Sequence, residues 1–197
     1  MGETGSGKTT RKPLAPAIAP PPLPAWSPLT PPPPSTEVPQ FLLHSSTPCA
    51  APRIVCTQPR RVAAQSLATR VAAEAGCPVG GLVGYTVRFD DRTSKQTRLK
   101  YATDGALLAE MLGDKDLDAY DVVILDEAHE RSLRTDMLMG FLKAMQRRRR
   151  TKVEAWEELK GKGKAKLNEG AREPSLLKIV VMSATIDAQR FSDFFGK

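Results

Sequence analysis

The sequence predicts an α/β domain in which a parallel sheet is covered by helices on both faces. Three observations predict it. Short apolar runs alternate with stretches of helical periodicity. A glycine-rich phosphate loop occupies residues 2–9. One aliphatic run ends in two adjacent carboxylates, at the kind of strand terminus where open α/β sheets bind ligands.

The loop reads G-E-T-G-S-G-K-T over Gly2–Thr9, a full match to G-x-x-x-x-G-K-S/T. Gly5 and Gly7 allow backbone conformations that a side chain would block, so that successive N–H groups can close around phosphate oxygens. Lys8 would reach the β/γ-phosphates as a point charge, and the Thr9 hydroxyl would hold Mg²⁺. Beyond it, 14 of the 17 prolines fall between Pro13 and Pro52. A helix after Thr9 cannot run through Pro16 and Pro20–Pro22, because each proline removes a donor and clashes with the preceding turn. Ile54–Thr57 is the first expected strand, followed by a helix over Val62–Ala75 that Gly76 ends. Leu82–Val87 and Leu99–Ala102 are the next strands, and a helix over Gly105–Leu112 ends at Gly113.

Val122–Leu125 is a continuous aliphatic run, as in a buried parallel strand, and it leads into Asp126-Glu127-Ala128-His129. Asp126 can join a Mg²⁺ shell and Glu127 can polarise an attacking water; an acidic cap on the next helix would use the same residues. Ser132–Met145 places Leu133, Met137, Leu138, Phe141 and Leu142 at helical spacing. Ile179–Met182 is a final strand and Asp187–Phe195 a short helix.

Five blocks, in this order, carry a resemblance: G-E-T-G-S-G-K-T-T (2–10), T-Q-P-R-R-V-A-A (57–64), T-D-G-A-L-L-A-E (103–110), D-E-A-H-E-R-S (126–132) and S-A-T (183–185). With them the chain resembles the first RecA-like domain of a DEAH-box (DEAH/RHA) ATP-dependent RNA helicase. The resemblance implies ATP and Mg²⁺ as cofactors, and RNA and activator proteins as partners. It implies nucleotide binding by Gly2, Glu3, Thr4, Gly5, Ser6, Gly7, Lys8, Thr9 and Thr10, with Mg²⁺ at Thr9, Asp126 and Glu127, and catalysis by Lys8, Asp126 and Glu127. Thr57, Arg60, Arg61, Thr103, Asp104 and Gly105 would contact the RNA backbone, where arginines and hydroxyls give register without base preference. Arg60 and Arg61 can equally solvate the start of a helix, and Thr103 and Asp104 can equally cap one. His129, Ser183 and Thr185 would couple nucleotide state to strand movement, with His129 facing a second RecA-like domain.

The organisation expected is a phosphate loop (1–10), a Pro-rich insertion or linker (11–52), the body of the RecA-like domain (53–146), a basic low-complexity insertion (147–176) and the end of that domain (177–197). The resemblance implies truncation at both ends: the strand ahead of Gly2 and the second RecA-like domain, with its arginine finger, lie outside the chain. An isolated chain would then hydrolyse ATP poorly. Residues 11–37 interrupt the family pattern, which resumes at Val38-Pro39-Gln40-Phe41-Leu42. Arg11-Lys12 and Thr36-Glu37 are what a split Gln codon around an unspliced intron would encode. The alternative is a Pro-rich linker or module ligand.

The net charge of +7 points to nucleic acid, but its location does not. Residues 147–166 hold nine basic and three acidic side chains and the rest of the chain is nearly neutral, so a solvated, disordered loop is expected there rather than an RNA patch. Cys49, Cys56 and Cys77 have no metal or C-x-x-C spacing. No membrane-length apolar run or signal peptide is present, so an intracellular protein, nuclear or cytoplasmic, is expected.

Overall fold

The computed structural model describes residues 34–44, 52–162, 173–184 and 193–195. Its centre is a six-stranded sheet in the order β3-β2-β4-β1-β5-β6. The strands are β1 (Ile54–Gln58), β2 (Val83–Val87), β3 (Asp90–Arg92), β4 (Leu99–Thr103), β5 (Val122–Leu125) and β6 (Lys178–Val181). All neighbours are parallel except the β2–β3 hairpin. Strands β1, β4 and β5 are buried along their whole length, as aliphatic strands packed on both faces must be.

Two apolar layers cover the sheet. On one face Ala64, Ala68, Val71 and Ala72 of α2 (Arg61–Glu74) meet Ile54, Cys56, Leu99, Tyr101 and Ile124. Small alanines let this helix sit close to the strands. On the other face α3 (Asp104–Gly113) and α4 (Leu133–Gly161) bring Leu107, Met111, Leu138, Leu142 and Met145 against Val55, Val123 and Leu125. Gly76, at φ +64°, turns the chain out of α2, where Cys77 N–H donates to Ala72 O. Ser132 caps α4 by accepting from Thr135 N–H at 3.1 Å.

Two segments expected to be disordered insertions carry helix, and one edge strand was not expected. The Pro-rich segment contains a helix, α1 (Pro34–His44), whose Leu42 and Leu43 pack on the α2 layer. Pro39 lies inside it and cannot donate to the Ser35 carbonyl one turn back. That carbonyl accepts from the Tyr101 hydroxyl instead, at 3.0 Å, so the lost rung is replaced from the sheet. The first turn of α1 is therefore formed by the last four residues of segment 11–37.

The basic stretch after residue 146 is not a loop up to Gly161: it continues α4 without a break. Arg149 is 3% exposed, and its guanidinium donates to the carbonyls of Leu117 (3.2 Å), Tyr120 (2.7 Å) and Ser175 (2.9 Å) and to Ser175 Oγ (2.8 Å). Arg148 and Lys152 close on Asp116, at 2.7 and 2.6 Å. Part of the charge thus fastens α4 to the α3–β5 connection and to the segment entering β6. The unexpected element is β3, whose Asp-Asp-Arg sequence carries no apolar signal but pairs with β2. Of the expected helix Asp187–Phe195, only 193–195 are described, and they are helical.

Candidate functional site

The C-terminal edge of the parallel strands is where this chain gathers its polar groups. Gln58 ends β1, Thr103 ends β4 beside it in register, and Asp126 follows β5. A strand that ends in a charged residue must deliver it to a boundary of the core, and here the boundary is shared by three strands.

Asp126 is only 6% exposed, yet each carboxylate oxygen has one partner. Oδ1 accepts from Glu127 N–H at 2.8 Å, and Oδ2 accepts from the Gln58 side-chain amide at 2.6 Å. Its charge reaches further: burial first and Asp126 second push the Cys56 thiol well up, and the Tyr101 phenol is raised by burial with help from the same carboxylate. Both groups stay neutral in the core.

Glu127 takes the left-handed backbone conformation, φ 52° and ψ 35°, and Arg131 does so again at φ 46°. A non-glycine residue there costs of order 1 kcal/mol, and a buried framework must impose it. The framework is visible: Ala128 N–H donates to Met182 O at 3.0 Å, Met182 N–H donates to Leu125 O at 2.8 Å, and Ala128 is fully buried. The result turns the Glu127 side chain, 42% exposed, out of the sheet edge.

His129 is tied to the S-A-T segment, accepting from Ala184 N–H through Nδ1 at 3.3 Å. That bond requires a bare Nδ1, so the Glu127 carboxylate 3.5 Å away is a neighbour and not an ion-pair partner in this tautomer. Ser183 lies half-buried beside Ala184, and Thr185 is outside the described residues. Gly2, Glu3, Thr4, Gly5, Ser6, Gly7, Lys8, Thr9 and Thr10 are outside them too.

The expected RNA-facing residues divide. Arg60 and Arg61 are exposed, Arg60 pairing with Glu130 at 3.2 Å. Gly105 is half-buried against the Arg134 side chain. Thr57 is fully buried with no partner for its hydroxyl among the described residues, and Thr103 is 9% exposed. Asp104 is buried, accepting from Thr135 Oγ1 at 2.6 Å and Ser132 Oγ at 3.4 Å. Thr57 and Asp104 are thus buried in this structure, and Asp104 links the start of α3 to the cap of α4.

Sequence reasoning missed Gln58, Glu130, Ser132, Thr135 and Arg149. Gln58 did carry a signal: a polar residue at the end of an otherwise apolar strand, within T-Q-P-R-R. Apart from the local Ser132–Thr135 cap, the partners of the others are 26 to 70 residues away, so no local pattern announces them.

Among the described residues no three His, Cys, Asp or Glu side chains cluster to hold a metal by themselves. A single oriented carboxylate at a sheet edge suits Mg²⁺, which is commonly held by one or two carboxylates together with substrate phosphates. No helix among the described residues is long and apolar enough to cross a membrane.

No family model matches the chain. Its similarity to individual proteins is high. It is 42% identical to "Probable ATP-dependent RNA helicase DHR2" of Saccharomyces cerevisiae, over all of this chain and 20% of that protein. It is 44% identical to "ATP-dependent RNA helicase DHX33" of Homo sapiens, over all of this chain and 21% of that protein. It is 45% identical to "Probable ATP-dependent RNA helicase DHX35 homolog" of Caenorhabditis elegans, over 82% of this chain and 19% of that protein. The chain thus spans about a fifth of the length of the curated relatives it matches. Similarity of this extent, with the mostly parallel sheet and its helices, identifies the fold as α/β and RecA-like.

Proposed function

We infer that this chain is the nucleotide-binding part of a DEAH-box ATP-dependent RNA helicase. It would bind Mg²⁺ and ATP along the C-terminal sheet edge and couple their state to an RNA strand. The observation that carries the reading is the convergence, at one edge, of the Asp126–Glu127 pair with the two segments fastened to it. Gln58 ties T-Q-P-R-R to Asp126, and Ala184 ties S-A-T to His129.

In this reading the backbone amides of Gly5–Thr9 and the Lys8 ammonium would hold the phosphates, and Thr9, Asp126 and Glu127 would hold Mg²⁺, which would supply charge neutralisation for phosphoryl transfer. Glu127, turned outward by its left-handed backbone, orients the attacking water and takes up its proton. Arg60 and Arg61 bind the RNA sugar-phosphate backbone without base preference. His129, with Ser183 and Thr185, transmits changes at the nucleotide to whatever packs above the edge. RNA is the partner this chemistry fits, and activator proteins are expected to act on the whole helicase. A nuclear or cytoplasmic setting agrees with an RNA substrate.

The test is binding of a fluorescent ATP analogue to the purified chain, followed by ATP hydrolysis with and without single-stranded RNA. Mg²⁺-dependent binding that Lys8→Ala abolishes is the expected outcome. No binding by the unaltered chain would sink the reading. Binding with little RNA-stimulated turnover is the outcome expected of a chain that spans about a fifth of its relatives.

A further inference from the structure

Gln58 is the last residue of β1, 2% exposed, and its amide nitrogen is 2.6 Å from Asp126 Oδ2. The other Asp126 oxygen takes the Glu127 backbone N–H. Two donors on opposite oxygens fix the carboxylate's rotamer, while each oxygen keeps further lone-pair capacity. The chemical type of the donor matters as much as its position. An ammonium or guanidinium in its place would orient Asp126 equally well but would cancel the charge that a divalent cation needs. A neutral amide orients the carboxylate and leaves it anionic. The amide also offsets the cost of keeping that anion nearly buried.

We propose that Gln58 is a positioning residue for the metal chemistry of this site, aiming and sustaining the Asp126 carboxylate; the role rests on the reading of Asp126 as a Mg²⁺ ligand. Residues that orient a ligating carboxylate typically govern metal affinity by about 10–100-fold. Gln58 belongs to T-Q-P-R-R, where the family resemblance implies RNA contacts by Arg60 and Arg61, so this segment would serve both ligands.

The experiment uses the full chain with Gln58→Leu and Gln58→Glu. Affinity for a fluorescent ADP is measured by anisotropy in Mg²⁺ and again in EDTA. The Mg²⁺-dependent gain in affinity should fall about tenfold in Gln58→Leu and further in Gln58→Glu, whose carboxylate faces Asp126, while affinity in EDTA stays within about twofold. A role in filling space predicts the opposite ranking, since Glu is nearly isosteric with Gln; that ranking, or an unchanged gain in both variants, overturns the proposal. An unfolding cycle of Gln58→Leu with Asp126→Asn reads the contact without nucleotide, and additive effects would remove it. If the unaltered chain shows no Mg²⁺-dependent gain while the cycle is non-additive, the fault lies with the assignment of Asp126 and the proposal falls with it.

Discussion

Arg60, just past the end of β1, and Arg149 in α4 each sit beside another arginine in sequence, yet they stand in opposite environments. The Arg60 side chain is 77% exposed, and its one ion pair, with Glu130, is solvent-facing and worth little to stability. Arg149 is 3% exposed and donates to three backbone carbonyls in the connections entering β5 and β6, of which Leu117 O also accepts from Tyr120 N–H. The difference teaches that charge in a sequence gives no direction. What separates a ligand-facing arginine from a structural one is whether unpaired backbone oxygens lie within its reach.

The sharpest way to break this contrast is Arg149→Met, which keeps the stem and removes every donor. The Tyr120 and Ser175 carbonyls lose the guanidinium, while Leu117 O keeps its bond from Tyr120 N–H, and destabilisation of about 3 kcal/mol is expected in urea unfolding. A loss below about 0.5 kcal/mol would make the two arginines equivalent.

A smaller effect comes from Asp116, which the Lys152 ammonium first and the Arg148 guanidinium after it hold below the ordinary aspartate range. Its folded value lies below its unfolded one. The stabilisation is therefore present above about pH 4 and is lost as pH falls through the folded value. Asp116→Asn should flatten the acid limb of the stability profile and leave it unchanged in shape near neutrality. An acid limb as steep as that of the unaltered chain would mean that these basic residues do not fasten the loop in solution.

The smallest stability effect belongs to Arg60→Ala, within about 0.5 kcal/mol. Its signature lies elsewhere: RNA affinity should drop uniformly across sequences, and the log–log salt slope should fall by about 1. A normal slope would show that Arg60 meets no phosphate.

The parallel strands and the two helices after β1 and β4 were legible because each rests on a local period or an aliphatic run. The expected Val122–Leu125 coincides with β5, and Ile54–Thr57 differs from β1 by one residue. β3 was not legible, since an edge strand of Asp90, Asp91 and Arg92 is held by pairing alone. Nor was α1, because Pro39 reads as a breaker until the Tyr101 hydroxyl, 66 residues from Ser35, supplies the missing bond. The second half of α4 was hidden by its charge: Arg, Lys and Glu are good helix formers, and here burial of Arg149 extends what propensity allows. In the site, Asp126 and Glu127 were visible from the strand they terminate. The inward turn of Asp104 was not, because the hydroxyls of Ser132 and Thr135 that receive it lie on another element.

The sheet has two unlike borders. One is finished by β3, three residues long, charged, and therefore a poor template for more backbone. The other is β6, whose Ile179, Val180 and Val181 are only half-buried and whose outer amides and carbonyls face no further strand among the described residues. Among the described residues the sheet thus ends in a charged border on one side and an aliphatic one on the other. Of the two borders among the described residues, β6 is therefore the better suited to pair with a further strand and β3 the less suited.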